Sequence, residues 1–155
     1  MIVAIIADRM DTFRLQGKVM MDICGHPMLW HVINRTQKSS LLDKTIVATT
    51  NRDSDRPIID LAETMGVGSY AYKGDVDDVL SRYYEAANHF EADTIVRITG
   101  DCPLIYWEII DQSIRLFLDE HLDYVCNPKY PNGMDVEVLS FRALTTAYLQ
   151  SQFKY

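Results

Sequence analysis

Short apolar runs rich in isoleucine and valine alternate along this chain with longer segments whose apolar residues recur at helical spacing. This alternation is typical of a mostly parallel sheet with helices on both faces, because strands buried on both sides have no polar face. The predicted strands are residues 2–7, 45–50, 69–72, 94–99, 124–126 and 136–139. The predicted helices begin at or near Pro27, Pro57, Asp78, Trp107 and Ser140. The sequence therefore predicts an α/β fold.

The size and charge of the chain limit the classes of protein to consider. Its 155 residues are 48% hydrophobic and 24% charged, and no Pro/Gly/Ser-rich stretch divides them, so we expect one domain over residues 1–155. The net charge of −7 repels nucleic-acid phosphates, and no cluster of lysine and arginine offsets it. We therefore expect no nucleic-acid partner.

The cysteine content and the hydropathy of the sequence indicate where in the cell the protein is located. Three cysteines without a C-x-x-C pair argue against a disulfide framework and favour reduced thiols. No apolar run approaches the roughly 20 residues that span a bilayer. These features predict a cytoplasmic protein with no membrane insertion.

The segment after the first predicted strand carries the first candidate site. Residues 9–18 show no helical period and contain Arg9, Arg14 and Lys18, with Gly17 permitting close approach of the backbone. Charge-assisted hydrogen bonds from such side chains can hold a pyrophosphate group. The alternative is a solvated surface loop, since exposed basic residues are common. The loop matches neither G-x-x-x-x-G-K-[ST] nor G-x-G-x-x-G, so P-loop hydrolases and dinucleotide oxidoreductases are not indicated.

A single carboxylate follows the predicted strand 94–99. Open α/β sheets bind ligands at the carboxyl ends of their strands, where Asp101 would lie. Magnesium prefers oxygen ligands and often uses one or two carboxylates together with phosphate oxygens, so Asp101 is a candidate metal ligand. The alternative is a turn residue, because Gly-Asp-Cys-Pro is good turn chemistry.

Other polar groups are weaker candidates. Asp75 and Asp77 resemble a D-x-D metal pair, but Asp77 and Asp78 stand at a predicted helix start, where they would cap free N–H groups. Asp135 and Glu137 alternate with two valines and would share one face of a strand, either to contact sugar hydroxyls or as an exposed polar edge. The histidines have no spacing typical of a zinc site, and there is no G-x-S-x-G nucleophile motif.

Six segments of the chain read as recognisable motifs: IIADRMDTFRLQGKV (5–19), CGHPML (24–29), VATT (47–50), DDVLSRYY (77–84), VRITGDCPLI (96–105) and YPNGMDVEV (130–138). Together and in consistent order, they resemble the cytidylyltransferases typified by spore coat polysaccharide biosynthesis protein F. The family signature that corresponds to residues 5–19 is roughly IIQARMGSTRLPGKV. The resemblance implies a Rossmann-like nucleotide-diphospho-sugar transferase fold. It also implies transfer of CMP from CTP to a sugar, usually an acidic one, with release of pyrophosphate, for surface or spore-coat polysaccharide.

The resemblance also implies roles for individual residues. Arg14 and Lys18 would hold the β and γ phosphates of CTP, and Asp101 would bind Mg²⁺. The remaining positions divide between the two substrates: nucleotide contacts at Arg9, Met10, Thr12, Gly17 and Thr99, and sugar contacts at Arg82, Asp135 and Glu137. A homodimer is compatible with this family.

The chain departs from the family pattern in ways that argue against activity. It has Asp11-Thr12-Phe13 in place of Gly-Ser-Thr, Gln16 in place of Pro, and Ala7-Asp8 in place of Gln-Ala. At ~4 Å and an effective dielectric near 20, an acid at position 11 and a phosphate repel by ~4 kcal/mol, which predicts impaired CTP binding. Relatives also continue into a carboxyl-terminal segment that this sequence lacks. The alternative function is therefore a catalytically impaired relative that acts as a nucleotide-binding or assembly domain.

Overall fold

The computed structural model describes residues 1–12, 15–127 and 129–151. Within these ranges the strands are β1 (Ile2–Ala7), β2 (Asp22–Ile23), β3 (His26–Pro27), β4 (Lys44–Thr50), β5 (Gly68–Tyr72), β6 (Thr94–Thr99), β7 (Tyr124–Cys126) and β8 (Glu137–Ser140). The α-helices in the same ranges are α1 (Met28–Thr36), α2 (Arg56–Thr64), α3 (Val79–His89), α4 (Trp107–Asp119) and α5 (Phe141–Gln150). Each of these helices is too short or too polar to cross a lipid bilayer.

The main sheet has six strands in the order β5-β4-β1-β6-β8-β7. The four strands β5, β4, β1 and β6 run parallel, whereas β8 pairs antiparallel with both β6 and β7. Successive side chains of β1 point to opposite faces: Ala4 and Ile6 pack with α1, α2 and α4, and Val3 and Ile5 pack with α3 and α5. The predicted α/β fold with helices on both faces is confirmed.

Local sequence signals account for the helix boundaries. Pro57 stands in the first turn of α2, where its missing N–H costs nothing, and the chain leaves that helix through Gly66 at φ +69°. Asp78 caps α3 by accepting a hydrogen bond from the Ser81 N–H, and Ser140 caps α5 by accepting one from the Ala143 N–H, both at 3.0 Å. The predicted starts of these helices are therefore confirmed to within one residue.

A small hairpin formed by β2 and β3 was not expected from the sequence. Its two strands are each two residues long and are joined by Cys24 and Gly25, both at positive φ. Such short strands have no periodicity to detect. The turn chemistry of Gly25 is the only local signal.

Candidate functional site

The carboxyl ends of β1 and β6 bring two distant loops together. The two strands are paired in register, with Ala7 opposite Thr99, so the residues that follow each strand are neighbours at the same edge of the sheet. The Gly100 N–H continues the pairing by donating to the Ala7 carbonyl oxygen at 3.1 Å. A Cβ at Gly100 would lie only 2.7 Å from the Cβ of Asp8, which explains why this close approach requires glycine.

Lys18 and Asp101 meet across this edge, as the sequence analysis expected. The ammonium group Nζ of Lys18 forms an ion pair with Oδ2 of Asp101, although the residues are 83 positions apart. Burial pushes the pKa of Asp101 upward, but the hydrogen bond and charge of Lys18 outweigh burial and bring that pKa below its ordinary value. Asp101 is therefore an anionic oxygen donor, and Lys18 is a cation held beside it.

Backbone hydrogen bonds shape the loop that carries Lys18. The Met10 N–H donates to Oδ1 of Asp55 at 2.7 Å, and the Met10 carbonyl oxygen accepts a hydrogen bond from the Gly17 N–H at 2.8 Å. Gly17 has φ +69°, a conformation that side chains with a Cβ rarely adopt. The Thr12 hydroxyl donates to the Leu15 carbonyl oxygen. Arg14, predicted to bind phosphate, lies outside the described residues.

A hollow of about 230 Å³ opens at this edge of the sheet. Its polar lining comprises three arginines, two carboxylates and three hydroxyls: Arg9, Arg82, Arg97, Asp8, Asp101, Thr12, Tyr83 and Thr99. Of the predicted nucleotide contacts, Arg9, Thr12 and Thr99 therefore share one cavity with Asp101, whereas Met10, Gly17 and Lys18 are not among its lining residues. Their roles in binding stay predictions.

Two arginines converge at one side of the hollow. The guanidinium groups of Arg9 and Arg82 both donate to the carbonyl oxygen of Val76, and Arg9 also forms an ion pair with Asp77 at 2.9 Å. Arg82 is only 3% exposed, and its Nε has no hydrogen-bond partner. Burial, and then the charge of Arg9, lower the pKa of Arg82. Two neighbouring cations with an unused donor favour binding of an anion here.

The three carboxylates of the acidic segment before α3 are engaged by other groups of the protein. Asp75 accepts a hydrogen bond from the Asp77 N–H, Asp77 pairs with Arg9, and Asp78 caps α3. The expectation that Asp77 caps the helix is wrong, because its carboxylate is bound to a guanidinium instead. In the part of the chain that the structure describes, no group of three or more His, Cys, Asp or Glu side chains is arranged to hold a metal.

The predicted sugar-binding carboxylates lie next to the hollow. Glu137 forms an ion pair at 2.7 Å with Arg97, its partner on β6. Asp135 is exposed and accepts a hydrogen bond from the Gly133 N–H, and it precedes β8. The expectation that both acids share a strand face is therefore wrong, because the strand begins at Glu137. Asp135 is close enough for its charge to help burial raise the pKa of the Cys102 thiol.

Asp8 and Asp55 are site residues that sequence reasoning missed. Asp8 was noted only as a departure from a family alanine, yet its carboxylate lines the hollow. Burial is the main cause that raises the pKa of Asp8 to about 6, and the negative charge of Asp101 adds to it. Asp55 contacts the Lys18 loop through Met10, 45 positions away, and its place at the start of α2 is the only sequence signal for it.

The raised pKa of Asp8 predicts a pH-dependent stability. Because the folded protein holds the Asp8 proton more tightly than the unfolded chain does, ionised Asp8 destabilises the fold. The penalty is absent below the ordinary pKa of 3.8 and complete above about 6, and two pKa units correspond to at most about 3 kcal/mol. Asp8→Asn should therefore raise the free energy of unfolding at alkaline pH and have a much smaller effect near the ordinary pKa.

Urea denaturation in EDTA at both pH values measures this difference. The wild-type chain at the same two pH values gives the reference. An equal effect of Asp8→Asn at the two pH values would contradict the assignment.

Asp11 does not stand as an isolated charge. Its Oδ2 forms an ion pair with Nη1 of Arg52 at 3.2 Å, and its Oδ1 accepts a hydrogen bond from Nε2 of Gln16 at 3.3 Å. Asp11 and Gln16, both departures from the family signature, therefore contact each other. Arg52 offsets the negative charge that the sequence analysis expected to repel a triphosphate.

Comparison with known proteins identifies the family of this chain. The family model described as cytidylyltransferase matches residues 3–154. The chain belongs to the cytidylyltransferase family. This confirms the resemblance on which the predicted roles depend.

Individual relatives agree with the family assignment. The chain is 37% identical, over 99% of its length, to an uncharacterized protein of Methanocaldococcus jannaschii, of which it covers 63%. It is 38% identical, over 76% of its length, to a 3-deoxy-manno-octulosonate cytidylyltransferase of Trichlorobacter lovleyi, of which it covers 45%. The structure of a cytidylyltransferase from Leptospira borgpetersenii superposes with a TM-score of 0.91 at 29% identity, covering 98% of this chain and 65% of that one. The chain thus spans less than two thirds of the length of each of these two curated relatives.

Proposed function

We propose that this chain transfers CMP from CTP to an acidic sugar and releases pyrophosphate, in the synthesis of surface polysaccharide. The observation that supports the proposal best is the ion pair of Lys18 with Asp101, a carboxylate that lines a hollow together with three arginines. Family membership and the similarity to a 3-deoxy-manno-octulosonate cytidylyltransferase support the choice of nucleotide and of acceptor class. The free cysteines Cys24, Cys102 and Cys126 favour the reducing cytoplasm as the compartment.

The chemistry of the proposal is a displacement at phosphorus. A hydroxyl oxygen of the sugar attacks the α-phosphorus of CTP, the bond from that phosphorus to the bridging oxygen of the β-phosphate breaks, and pyrophosphate leaves with the bonding electron pair. The hydroxyl proton passes to a base. Negative charge accumulates on the leaving group, so cations fixed beside it lower the barrier. Lys18 and Arg9 are the described cations suited to that role, since Arg9 lines the hollow and Lys18 is paired with Asp101, which also lines it.

Magnesium suits this site as a companion of the nucleotide. Asp101 is a partly exposed hard oxygen donor with a lowered pKa, and magnesium commonly uses one or two carboxylates together with phosphate oxygens. In our proposal Asp101 is the protein ligand. When bound, the ion would neutralise phosphate charge.

The test is pyrophosphate release by the purified chain with CTP, Mg²⁺ and a panel of sugar acids, together with calorimetric titration of CTP. We expect release that depends on CTP, on Mg²⁺ and on one class of acceptor, and weaker binding of UTP and ATP. The proposal would be contradicted if none of the sugar acids gave pyrophosphate release and CTP did not bind. Tight binding of CTP without release would favour the alternative, a catalytically impaired nucleotide-binding domain.

Replacing Asp11 with glycine, the family residue, tests whether this position impairs binding. Arg52 and Gln16 already hold the Asp11 carboxylate. Exposed ion pairs contribute at most about 1 kcal/mol, so we expect Asp11→Gly to change the dissociation constant of CTP by less than about tenfold. Calorimetry on the variant and on Arg52→Gln, which leaves Asp11 without its cation, measures the effect. A large gain in affinity in Asp11→Gly would show that the sequence-based expectation of impairment is correct.

A further inference from the structure

Asp55 is a buried carboxylate bonded to two separate segments of the chain. Its side chain lies at the start of α2, and the residue is only 1% exposed. Oδ1 accepts the Met10 N–H at 2.7 Å, and Oδ2 accepts both the N–H and the hydroxyl of Thr50 at the end of β4. The helix N-terminus favours a negative charge at this position. Both carboxylate oxygens are therefore occupied, and they join the loop after β1 to the sheet.

The contacts of Met10 carry this anchor toward Lys18. The Met10 carbonyl oxygen receives the Gly17 N–H at 2.8 Å, and the methyl group Cε of Met10 lies 3.4 Å from where a Cβ at Gly17 would stand. Lys18 follows Gly17 and forms the ion pair with Asp101. Three contacts and the peptide bond between Gly17 and Lys18 thus connect Asp55, through Met10, to Asp101.

We propose that Asp55 is a positioning residue that holds Met10, and through it Gly17, in the conformation that presents Lys18 to the nucleotide phosphates. The inference rests on the proposed function for what Lys18 binds, and on the contacts above for how the loop after β1 is held. Residues 8–12 and 15–17 contain no helix or strand, so without an anchor their ordering on binding would cost conformational entropy. A charge-assisted hydrogen bond to the backbone supplies that anchor without touching the ligand.

The competing explanation is a purely structural role, in which Asp55 only ties α2 to β4. Asp111 provides a matched control for it. Asp111 is also a buried aspartate, 7% exposed, and its carboxylate accepts hydrogen bonds from the hydroxyls of Ser39 and Ser40 and from the Ser40 N–H. It lies on α4 and bonds to the segment between α1 and β4, away from the loop of residues 8–18.

The experiment measures hydrogen exchange of residues 8–18 and of the β1 core, together with Mg²⁺-CTP calorimetry, in the full chain and in Asp55→Ala, Asp55→Asn and Asp111→Ala. In Asp55→Ala we expect hydrogen exchange of the loop to become at least about tenfold faster and CTP affinity to become at least about tenfold weaker. Each change is the size expected for the loss of one hydrogen bond to a charged group. Asp55→Asn keeps an oxygen acceptor for Met10 and should recover much of both losses. Asp111→Ala should lower thermal stability and leave the exchange of the loop and CTP affinity unchanged.

The proposal would be overturned if residues 8–18 exchanged in Asp55→Ala at the rate seen in the wild type or in Asp111→Ala. If Asp55→Ala does not fold, Asp55→Ser replaces it, because serine suits the helix start but is too short to reach Met10 and Thr50 together. The same exchange outcomes then decide. A wild-type chain that does not bind CTP would contradict the proposed function, and the exchange measurement would still test the anchoring by Asp55.

Discussion

Replacing Lys18 with methionine is expected to slow CTP-dependent pyrophosphate release by about 100- to 1,000-fold, the usual effect of removing one group that stabilises charge in the transition state. Methionine keeps the length of the side chain and removes its charge. The ion pair with Asp101 is also lost, so the pKa of Asp101 should rise, because the hydrogen bond and charge of Lys18 hold it down. Pyrophosphate release under saturating CTP and Mg²⁺ measures the loss.

Lys44→Met is the matched control for this prediction. Lys44 is an exposed lysine at the amino end of β4, where its Nζ lies 5.3 Å from the centre of the Phe90 ring. The control should retain wild-type release. Pyrophosphate release at the wild-type rate in Lys18→Met would show that Lys18 takes no part in the reaction.

Gly100→Ala is expected to destabilise the fold by about 1–3 kcal/mol, as overpacking of a closely packed position does, and to abolish CTP binding. The new Cβ would lie 2.7 Å from the Cβ and 2.9 Å from Oδ2 of Asp8, so the strand ends must separate. Asp101, the next residue, would shift away from Lys18 with them. Thermal denaturation and CTP calorimetry measure the two effects.

The double variant Gly100→Ala, Asp8→Gly separates this clash from a general intolerance of alanine at position 100. Removing the Asp8 side chain removes the clashing atoms, so the double variant should be more stable than Gly100→Ala alone, and Asp8→Gly alone gives the reference. The free energy of unfolding of the double variant is corrected for the effect of Asp8→Gly alone. If it is then as low as that of Gly100→Ala, the close approach of positions 8 and 100 is not the reason for the glycine.

Periodicity was sufficient to predict the framework of this fold. Strands β1 and β6 coincide with the predicted ranges 2–7 and 94–99, because both segments are mostly apolar and end in polar turns. The predicted strand 136–139 begins one residue early, since alternating Asp135, Val136 and Glu137 satisfy a strand pattern that the backbone adopts only from Glu137 onward. Because parallel strands end at the same edge of a sheet, the strand pattern also predicts that the loops carrying Lys18 and Asp101 are neighbours.

Side-chain pairing over long separations could not be read from the pattern. The sequence marks Asp11 as an uncompensated acid, and only the fold shows that Arg52, 41 residues away, and Gln16 hold it. In the same way, local capping rules assign Asp77 to a helix start, whereas the folded chain places Arg9 against it. Asp55 carries no motif at all, and its contact with Met10 exists because β1 and β4 are adjacent in the sheet.

The most direct test of the central claim is a crystal structure of this chain with CTP and Mn²⁺, in which anomalous scattering locates the metal. The account predicts that the metal is bound by the Asp101 carboxylate and by phosphate oxygens, with Lys18 turned to the phosphates and the nucleotide in the hollow at the carboxyl ends of β1 and β6. Metal at Asp75 and Asp77, or a nucleotide bound away from Lys18 and Asp101, would contradict it.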